Sequence, residues 1–417
     1  MTGRFSRRDL VSYTAAMAAA SASRAVAAPL RALPEGHDID AAIRAKVDAG
    51  EVPGVVAMAA SGRATIYEGA FGVRARGAAA KMSVDTVFRI ASMIKLLTSV
   101  AALQLVEQGK LRLDEPAANI DPALAAPQVL AGFDPQGAPQ LRPARKPITL
   151  RNLLSHTSGF SYPLWDADVV RYSRAARANK SLPRSVLTFD PDSRWAYGGS
   201  LDRVGRLVEI ASGQTLDRYF ADHILGPLGM SDTGFTITDK QRAREAHLHV
   251  RERDGTLVTQ PLEHHTAPRT FSGGGGIYST APDYLILLQA LLNSGSIGGT
   301  SILRPETVAL MAANQIGNLD AGVMRTTNPA ISNDVDFFPG TRLGWGLGHM
   351  INLDPVRNAR KAGSLTWAGL YNTYYWIDPS SGVAGVIMMQ ILPFADTRAL
   401  ATYRAFEGAI YRATKAV

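Results

Sequence analysis

The sequence predicts an α/β (α+β) fold, in which both chain ends form an antiparallel sheet of five or more strands, flanked by helices, around an inserted, mostly helical region. Strand patterns near each end and helical patterns between them are the first two observations. The third is composition: 417 residues, 46% hydrophobic and 19% charged, are typical of a globular protein with one large or two interleaved domains. We predict a sheet domain over 37–115 and 330–417, and a helical domain over 116–329.

Apolar runs bounded by turn residues justify the sheet. Two runs near the amino terminus are joined by a short turn at Ser61–Arg63, and three lie near the carboxyl terminus. The predicted strands are Val55–Ala60, Thr65–Phe71, Gly344–Ile351, Leu370–Ile377 and Val383–Gln390. The predicted helices include Ile39–Ala49, Leu201–Ala211, Pro282–Leu292 and Thr397–Thr414.

Residues 1–28 have the pattern of an export signal. A positive region, Arg4–Arg8, precedes a short, weakly apolar stretch and the small-residue pattern Ala25–Ala27. Ser6–Leu10 is similar to a twin-arginine signal. The pattern predicts cleavage after Ala27 or one residue later, and a periplasmic or secreted protein. The alternative is an amino-terminal extension of a cytosolic protein.

Charge and composition exclude several classes of protein. The net charge is +8, but the predicted leader carries three of these charges and the rest are scattered, so we expect no nucleic-acid binding. The absence of cysteine excludes disulfides, thiol nucleophiles and thiolate metal sites. After the leader no apolar run reaches the length of a membrane helix, so we expect no stable membrane insertion once the leader is removed.

The stretch Ile90–Gly109 carries the strongest chemical signal. It is apolar on all sides between Arg89 and Glu107, which predicts a buried helix. Lys95 is the only charged residue inside it, and burying an ammonium group without a partner costs several kcal/mol. Ser92 lies three residues earlier, on the same helical face, at about 5 to 6 Å between β-carbons. A lysine in this setting requires a role.

A hydroxyl beside a buried amine predicts a nucleophile with its general base. Ser92 in the first turn also meets the positive end of the helix dipole, which favours a developing alkoxide. The alternative is structural: Ser92 caps the helix and the Lys95 side chain extends to the surface.

Two further segments carry groups that suit acyl chemistry. Tyr197 lies in a loop of small residues before a predicted helix, and a phenol beside an ammonium can act as base or proton relay. Trp367–Leu370 leads into a predicted strand, where a glycine at the edge can offer a backbone N–H to an oxyanion. As alternatives, Tyr197 is a packed tyrosine and Trp367 a core anchor.

In their order along the chain, these segments resemble the serine β-lactamase and DD-peptidase superfamily, in particular its class C-like branch and the related family VIII carboxylesterases. The resemblance covers nearly the whole chain after the leader. Its motifs are Phe88–Lys95, Ile148–Gly159, Leu225–Met230 and Gly273–Asp283. It implies a β-lactamase/transpeptidase-like fold and a covalent acyl-enzyme, with no metal or organic cofactor.

Carried over position by position, the resemblance implies that Ser92 is the acylated nucleophile and Lys95 its base partner. Tyr197 takes the place of the tyrosine in the family's Tyr-Ser-Asn element. The oxyanion donors would be the backbone N–H groups of Ser92 and Leu370. The positions of the family's Lys-Thr-Gly element are held by Trp367, Ala368 and Gly369.

Two departures from the lactamase pattern favour a neutral ester. Gly199 stands where the lactamases have an asparagine, which removes a partner for a substrate amide. Trp367 stands where they have a lysine, which removes a contact with a substrate carboxylate worth about 1.5 to 3 kcal/mol. We predict that the substrate is bound at Trp367, Ala368, Gly369 and Gly199.

Other residues have structural interpretations. His156 predicts no Ser-His-Asp triad, because the chain contains no Gly-x-Ser-x-Gly motif. Gly273–Gly276 lacks the Lys-Ser/Thr of a phosphate loop and predicts tight backbone packing. Glu263–His265 lacks metal-ligand spacing on a helix and predicts a loop. Five aromatic residues are predicted to line an apolar pocket or, alternatively, to pack in the core or in loops: Tyr162, Trp165, Phe337, Phe338 and Tyr371.

The predicted function is hydrolysis of small or medium carboxylic esters through an acyl-enzyme on Ser92. Three alternatives stay open: transfer of the acyl group to an acceptor hydroxyl, weak β-lactamase or D-Ala-peptidase activity, and a catalytically silent peptidoglycan-binding or sensor module. The predicted partner is a small-molecule ester, and the sequence sets no oligomeric state.

Overall fold

The computed structural model describes residues 37–262 and 268–415. The predicted export signal, 1–28, and the Glu263–His265 segment lie outside these residues. The helices are α1 (His37–Asp48), α2 (Ile94–Glu107), α3 (Leu150–Leu154), α4 (Ala167–Ala178), α5 (Ser200–Ser212), α6 (Leu216–Phe220), α7 (Gly226–Leu228), α8 (Asp239–Arg242), α9 (Ala281–Leu292), α10 (Pro305–Ala312) and α11 (Thr397–Lys415).

Most strands belong to the two ends of the chain. They are β1 (Gly54–Ser61), β2 (Thr65–Gly72), β3 (Phe88–Arg89), β4 (Gln128–Phe133), β5 (Pro139–Pro143), β6 (His249–Arg251), β7 (Leu257–Thr259), β8 (Tyr278–Ser279), β9 (Ser296–Ile297), β10 (Thr300–Ser301), β11 (Leu343–Trp345), β12 (Met350–Asn352), β13 (Ser364–Gly369), β14 (Thr373–Asp378), β15 (Val383–Met388) and β16 (Ile391–Leu392). A short 3-10 turn, Ala91–Met93, leads into α2.

Seven strands form one antiparallel sheet in the order β11-β12-β13-β14-β15-β1-β2. The amino-terminal hairpin joins the carboxyl-terminal strands where β1 pairs with β15, with Met58 opposite Val386. The predicted fold class, an antiparallel sheet formed from both chain ends and flanked by helices, is confirmed.

Strand β14 shows how the two faces of the sheet are covered. Successive side chains of a strand point to opposite faces. Tyr374 stacks on Tyr403 of α11 with ring centroids 4.8 Å apart. Tyr375, on the other face, meets Tyr284 of α9 at 5.5 Å. Because helices cover both faces, the central strands are buried throughout and read as continuous apolar runs rather than alternating ones.

Two of the predicted strands differ from the structure. The single strand predicted over Gly344–Ile351 is wrong: it is the hairpin of β11 and β12, because Gly348 turns the chain with φ of 107°. A β-carbon at Gly348 would also overlap the Ser99 hydroxyl of α2.

The strand predicted over Leu370–Ile377 begins later, at Thr373. The residues before it form the tight turn between β13 and β14, where Asn372 has φ of 62°. Its amide group donates hydrogen bonds to the carbonyl oxygens of Ile391 (2.8 Å) and Pro393 (2.9 Å), which hold the turn in place. This turn sets where the cavity-facing residue Leu370 lies.

The region between the two halves of the sheet contains α3 to α10 and several two- or three-stranded ladders. Helix α9, from inside the predicted helical domain, packs against β1, β14 and β15. The domain boundaries at 116 and 329 stay a prediction. Among the described helices, none is long and apolar enough to cross a membrane.

Two buried histidines make the stability of the protein depend on pH. Burial lowers the pKa of His249 and of His349 to about 4 in each case, because an imidazolium there would lie out of water. Below pH 6.5 the unfolded chain binds protons at these positions that the folded chain does not. Each histidine therefore contributes stability that is complete above pH 6.5 and is lost as the pH falls toward 4.

We expect His349→Leu to reduce the dependence of the unfolding free energy on pH by about 1.4 kcal/mol per pH unit in the range between pH 6 and pH 4.5, about the linkage of one proton. Urea denaturation at a series of pH values measures this slope. Unfolding at about pH 8, well above the unfolded pKa of 6.5, reports the packing cost of the substitution separately. An unchanged slope would show that the folded protein protonates His349 as readily as the unfolded chain.

Candidate active site

Ser92 lies in the 3-10 turn that begins α2. The residue before it, Ala91, has a positive φ of 44°, an uncommon conformation for a residue with a β-carbon. The Met93 N–H donates to the Ile90 carbonyl at 3.0 Å and so closes the turn. No side chain caps the turn or the helix, so the Ser92 hydroxyl is not engaged as a cap.

Lys95 is buried, with 1% of its surface exposed, and does not reach the surface. Its Nζ donates to the Ser92 Oγ at 3.1 Å and to the Gly274 carbonyl at 2.8 Å. The ammonium also lies 5.0 Å from the ring centroid of Tyr197 and 5.4 Å from that of Tyr162. Within the described ranges no carboxylate forms an ion pair with it, so a carbonyl, a hydroxyl and two aromatic faces stabilise this charge.

Tyr197 lines the same cavity as Ser92 and is 4% exposed. Its Oη accepts a hydrogen bond from the indole N–H of Trp367 at 3.2 Å. The ring packs against those of Trp367, at 4.7 Å between centroids, and His156, at 4.8 Å. A β-carbon on the next residue, Gly198, would overlap the Phe160 carbonyl, so the tyrosine loop lies directly on neighbouring backbone.

Strand β13 brings a backbone N–H toward the nucleophile. A β-carbon at Gly369 would overlap the Ile90 carbonyl and the Thr373 hydroxyl, so only glycine allows the strand end to pack against the backbone that precedes Ser92. Leu370 follows, lines the same cavity as Ser92, and its N–H donates to no acceptor among the described residues. The backbone N–H groups of Ser92 and Leu370 therefore suit a pair of oxyanion donors.

The four predicted substrate-binding residues do not line this cavity. Trp367 and Ala368 are 3% and 1% exposed and lie within β13, and Gly369 ends that strand. Gly199 precedes α5 and borders a smaller cavity behind Tyr162. Trp367 holds Tyr197 and Gly369 precedes Leu370, and direct contact of the four residues with substrate stays a prediction.

A cavity of about 550 Å³ opens over Ser92. Arg89 is the only charged residue among its described lining residues, and it is ion-paired with Glu245 at 3.0 Å. Most of the wall is apolar or aromatic, from Tyr162, Leu164, Trp165, Phe235, Ile277, Tyr278, Leu370 and Tyr371. Of the predicted aromatic residues, Tyr162, Trp165 and Tyr371 line the cavity, whereas Phe337 and Phe338 are buried in the core.

His156 is buried and does not contact Ser92. Burial, and then the positive charge of Lys95, lower its pKa well below the usual range, so the ring is neutral. Its Nδ1 accepts the Gly198 N–H at 3.4 Å, which places the ring proton on Nε2. His156 thus supports the tyrosine loop through the Gly198 N–H.

Sequence reasoning missed Asp202 and Ser272 near Lys95, and it predicted only backbone packing for Gly274. Gly274 accepts a hydrogen bond from Lys95 through its backbone carbonyl. Every residue has a carbonyl, so the sequence gives no sign of this contact. The sequence offered one sign of Asp202, namely an acidic residue in the first turn of the predicted helix at 201–211. The described residues contain no group of three or more side chains able to hold a metal ion.

A serine hydroxyl beside a buried amine, under an apolar cavity and next to backbone N–H groups, has the parts of a serine enzyme that forms a covalent acyl intermediate.

Comparison with known proteins agrees with this class. The family model described as Beta-lactamase matches residues 39–410. The chain is 32% identical to lovastatin esterase from Penicillium rubens, over 90% of this chain and 98% of that protein. It is also 32% identical to monacolin J acid methylbutanoyltransferase from Aspergillus terreus, over 89% of this chain and 95% of that protein.

Among solved structures, simvastatin synthase from Aspergillus terreus, in its LovD6 mutant form, superimposes with a TM-score of 0.79. The two are 33% identical, and the match covers 91% of this chain and 95% of that one. The chain therefore belongs to the beta-lactamase family. It is a serine acyl-enzyme hydrolase or acyltransferase of that superfamily.

We expect Trp367→Phe to lower kcat by about two- to tenfold, because it removes a hydrogen bond to Tyr197 worth about 0.5 to 1.5 kcal/mol and keeps the aromatic packing. Steady-state kinetics on a chromogenic ester measures the effect. Trp345→Phe is the matched control, since it removes a buried indole bond to the Leu154 carbonyl (3.1 Å) and leaves that of Tyr197 intact. Equal kcat values for the two variants would contradict a role for Trp367 at Tyr197.

Proposed function

We propose that this protein hydrolyses carboxylic esters through an acyl-enzyme on Ser92. The observation that carries the proposal is the 3.1 Å hydrogen bond between Lys95 Nζ and Ser92 Oγ at the floor of the apolar cavity. A surface serine and lysine would be solvated separately, whereas here a buried lysine is held against a serine that faces the cavity.

In the proposed reaction, the Lys95–Tyr197 pair reacts in the form with one proton removed, and it takes the Ser92 proton as Oγ attacks the ester carbonyl. The negative charge that develops on the carbonyl oxygen is stabilised by the N–H groups of Ser92 and Leu370. Tyr197 then protonates the leaving alcohol, and the C–O bond of the ester breaks to leave the acyl group on Ser92. Water attacks the acyl-enzyme in the same geometry, releases the acid and restores the Ser92 hydroxyl.

Two features support a neutral ester as substrate. The indole at Trp367 is turned inward to Tyr197, so this position presents no cation to a substrate carboxylate. Arg89 on the cavity wall is already paired with the buried Glu245 carboxylate. The name of one relative, lovastatin esterase, supports ester hydrolysis in this part of the family.

Transfer of the acyl group to an alcohol is a second candidate. A cavity of about 550 Å³ is within the range that holds a drug-sized ligand, which leaves room for an acceptor beside the acyl group. The relative named monacolin J acid methylbutanoyltransferase supports this alternative. Both reactions use the same acyl-enzyme and differ only in whether water or an alcohol attacks it.

We expect a fluorophosphonate probe to label the protein once, at Ser92, as mapped by mass spectrometry. Ser92→Ala should abolish labelling and lower kcat/KM on p-nitrophenyl esters by about 10³-fold or more, because the covalent route is lost. Ser99→Ala is the matched control: its hydroxyl lies in the same helix, is buried and has no partner among the described residues.

If the parent protein forms no adduct, or if Ser92→Ala hydrolyses the esters as fast as the parent, the catalytic proposal is wrong and the silent binding module is favoured. Turnover of a cephalosporin faster than of the esters would favour a β-lactamase instead.

We expect hydrolysis to exceed transfer when an ester is supplied together with a competing primary alcohol in water. Product analysis by mass spectrometry separates the free acid from the new ester. A transfer product that predominates for a bulky alcohol, and for that alcohol alone, would assign the protein to the acyltransferases. Ser92→Ala serves as the blank for uncatalysed exchange.

A further inference from the structure

We propose that Asp202 is a positioning residue for Lys95, acting through Ser272, Gly274 and Tyr162. Asp202 would fix the groups that contact the lysine amine in addition to Ser92. The carboxylate lies next to Gly199, which has no side chain to contact it. This inference rests on the proposed role of Lys95 in activating Ser92.

Asp202 lies in the first turn of α5, and its carboxylate accepts hydrogen bonds from two hydroxyl groups. Its Oδ2 accepts a hydrogen bond from the Tyr162 Oη at 3.1 Å, and its Oδ1 accepts one from the Ser272 Oγ. Among the described residues no cation lies within ion-pair distance of the carboxylate. Its polar contacts are therefore directed at the two segments that face Lys95.

The first connection to Lys95 runs through the glycine loop. The Ser272 hydroxyl, which donates to Asp202, accepts the Gly274 N–H at 3.0 Å. The carbonyl of the same residue, Gly274, accepts from Lys95 Nζ at 2.8 Å. Three hydrogen bonds thus link the carboxylate to the ammonium through Ser272 and the backbone of Gly274, and they restrain the glycine whose carbonyl meets Lys95.

The second connection runs through Tyr162. Its ring centroid lies 5.4 Å from Lys95 Nζ, and its hydroxyl is held by Asp202. Burial, and then the negative charge of Asp202, raise the pKa of the Tyr162 phenol well above its ordinary value, so the phenol keeps its proton and acts as donor. The carboxylate thereby orients one of the two rings that enclose the ammonium.

Close packing shows that these parts are fitted to one another. A β-carbon at Gly274 would lie 2.8 Å from Asp202 Oδ2 and 2.9 Å from Tyr162 Oη, closer than ordinary contact distance. A β-carbon at Gly199 would lie 3.5 Å from Asp202 Oδ2, an ordinary contact. A side chain at Gly274 would therefore displace the Asp202 carboxylate or the Tyr162 hydroxyl, whereas at Gly199 the space beside the carboxylate is open.

The test compares Asp202→Leu, Asp202→Asn and Ser272→Ala with the parent, using kcat and KM on a chromogenic ester and the rate of fluorophosphonate labelling at Ser92. Displacing a catalytic group by about 1 Å costs about 10²-fold in rate. We expect Asp202→Leu to lower kcat and the labelling rate by about 10²-fold, with KM changed less than about threefold. Asp202→Asn keeps one acceptor and should recover most of the loss, and Ser272→Ala should be intermediate.

Asp217→Asn is the matched control, because Asp217 also lies in the first turn of a helix, α6, away from the cavity. Asp217→Asn measures the effect of losing a favourable charge at a helix N-terminus. Tm is measured for every variant to compare their stability. If Ser272→Ala has the parent Tm and the parent labelling rate, Asp202 does not position Lys95 through the glycine loop and the inference is wrong, even if Asp202→Leu fails to fold. If the parent itself is not labelled, the proposed function fails and not this inference alone.

Discussion

The buried ammonium group of Lys95 is the constraint that organises the active site. Removing such a charge from water costs several kcal/mol unless contacts within the protein compensate. Here the Gly274 carbonyl, the Ser92 hydroxyl and the faces of Tyr162 and Tyr197 supply those contacts. The groups come from four separate segments of the chain, so satisfying one charge brings the helix, the glycine loop and both tyrosine loops together.

Strand β13 of the sheet lies on the other side of Tyr197. It carries the indole N–H of Trp367 at the position where the lactamases carry a lysine ammonium. Where the resemblance to lactamases would place a lysine, Trp367 packs among Tyr197, Trp345 and Phe337, and its N–H holds the Tyr197 oxygen. The side chain at this position thus acts on the tyrosine rather than facing the cavity. Gly369 then lets the strand end close to the nucleophile turn. Leu370 and Tyr371 follow the strand and line the cavity beside Ser92.

The sequence predictions succeeded where the interactions join residues close in sequence, and they failed where the interactions join distant segments. Ser92 and Lys95 were paired from their spacing, because residues three apart on a helix are neighbours in any fold. The strands beside turns were predicted in the right places, but the hairpin at Gly348 and the turn at Asn372 were missed. Those turns depend on contacts with Ser99 and with the 391–393 segment, both distant in sequence.

By itself, the sequence determined the fold class, the buried helix and the serine–lysine pair, since each is a matter of local period and spacing. The tertiary structure decided what surrounds the pair: that Trp367 faces Tyr197, that Phe337 and Phe338 belong to the core, and that the lysine is held by a backbone carbonyl of Gly274. A carbonyl is common to all residues, so its partner is chosen only when distant segments pack.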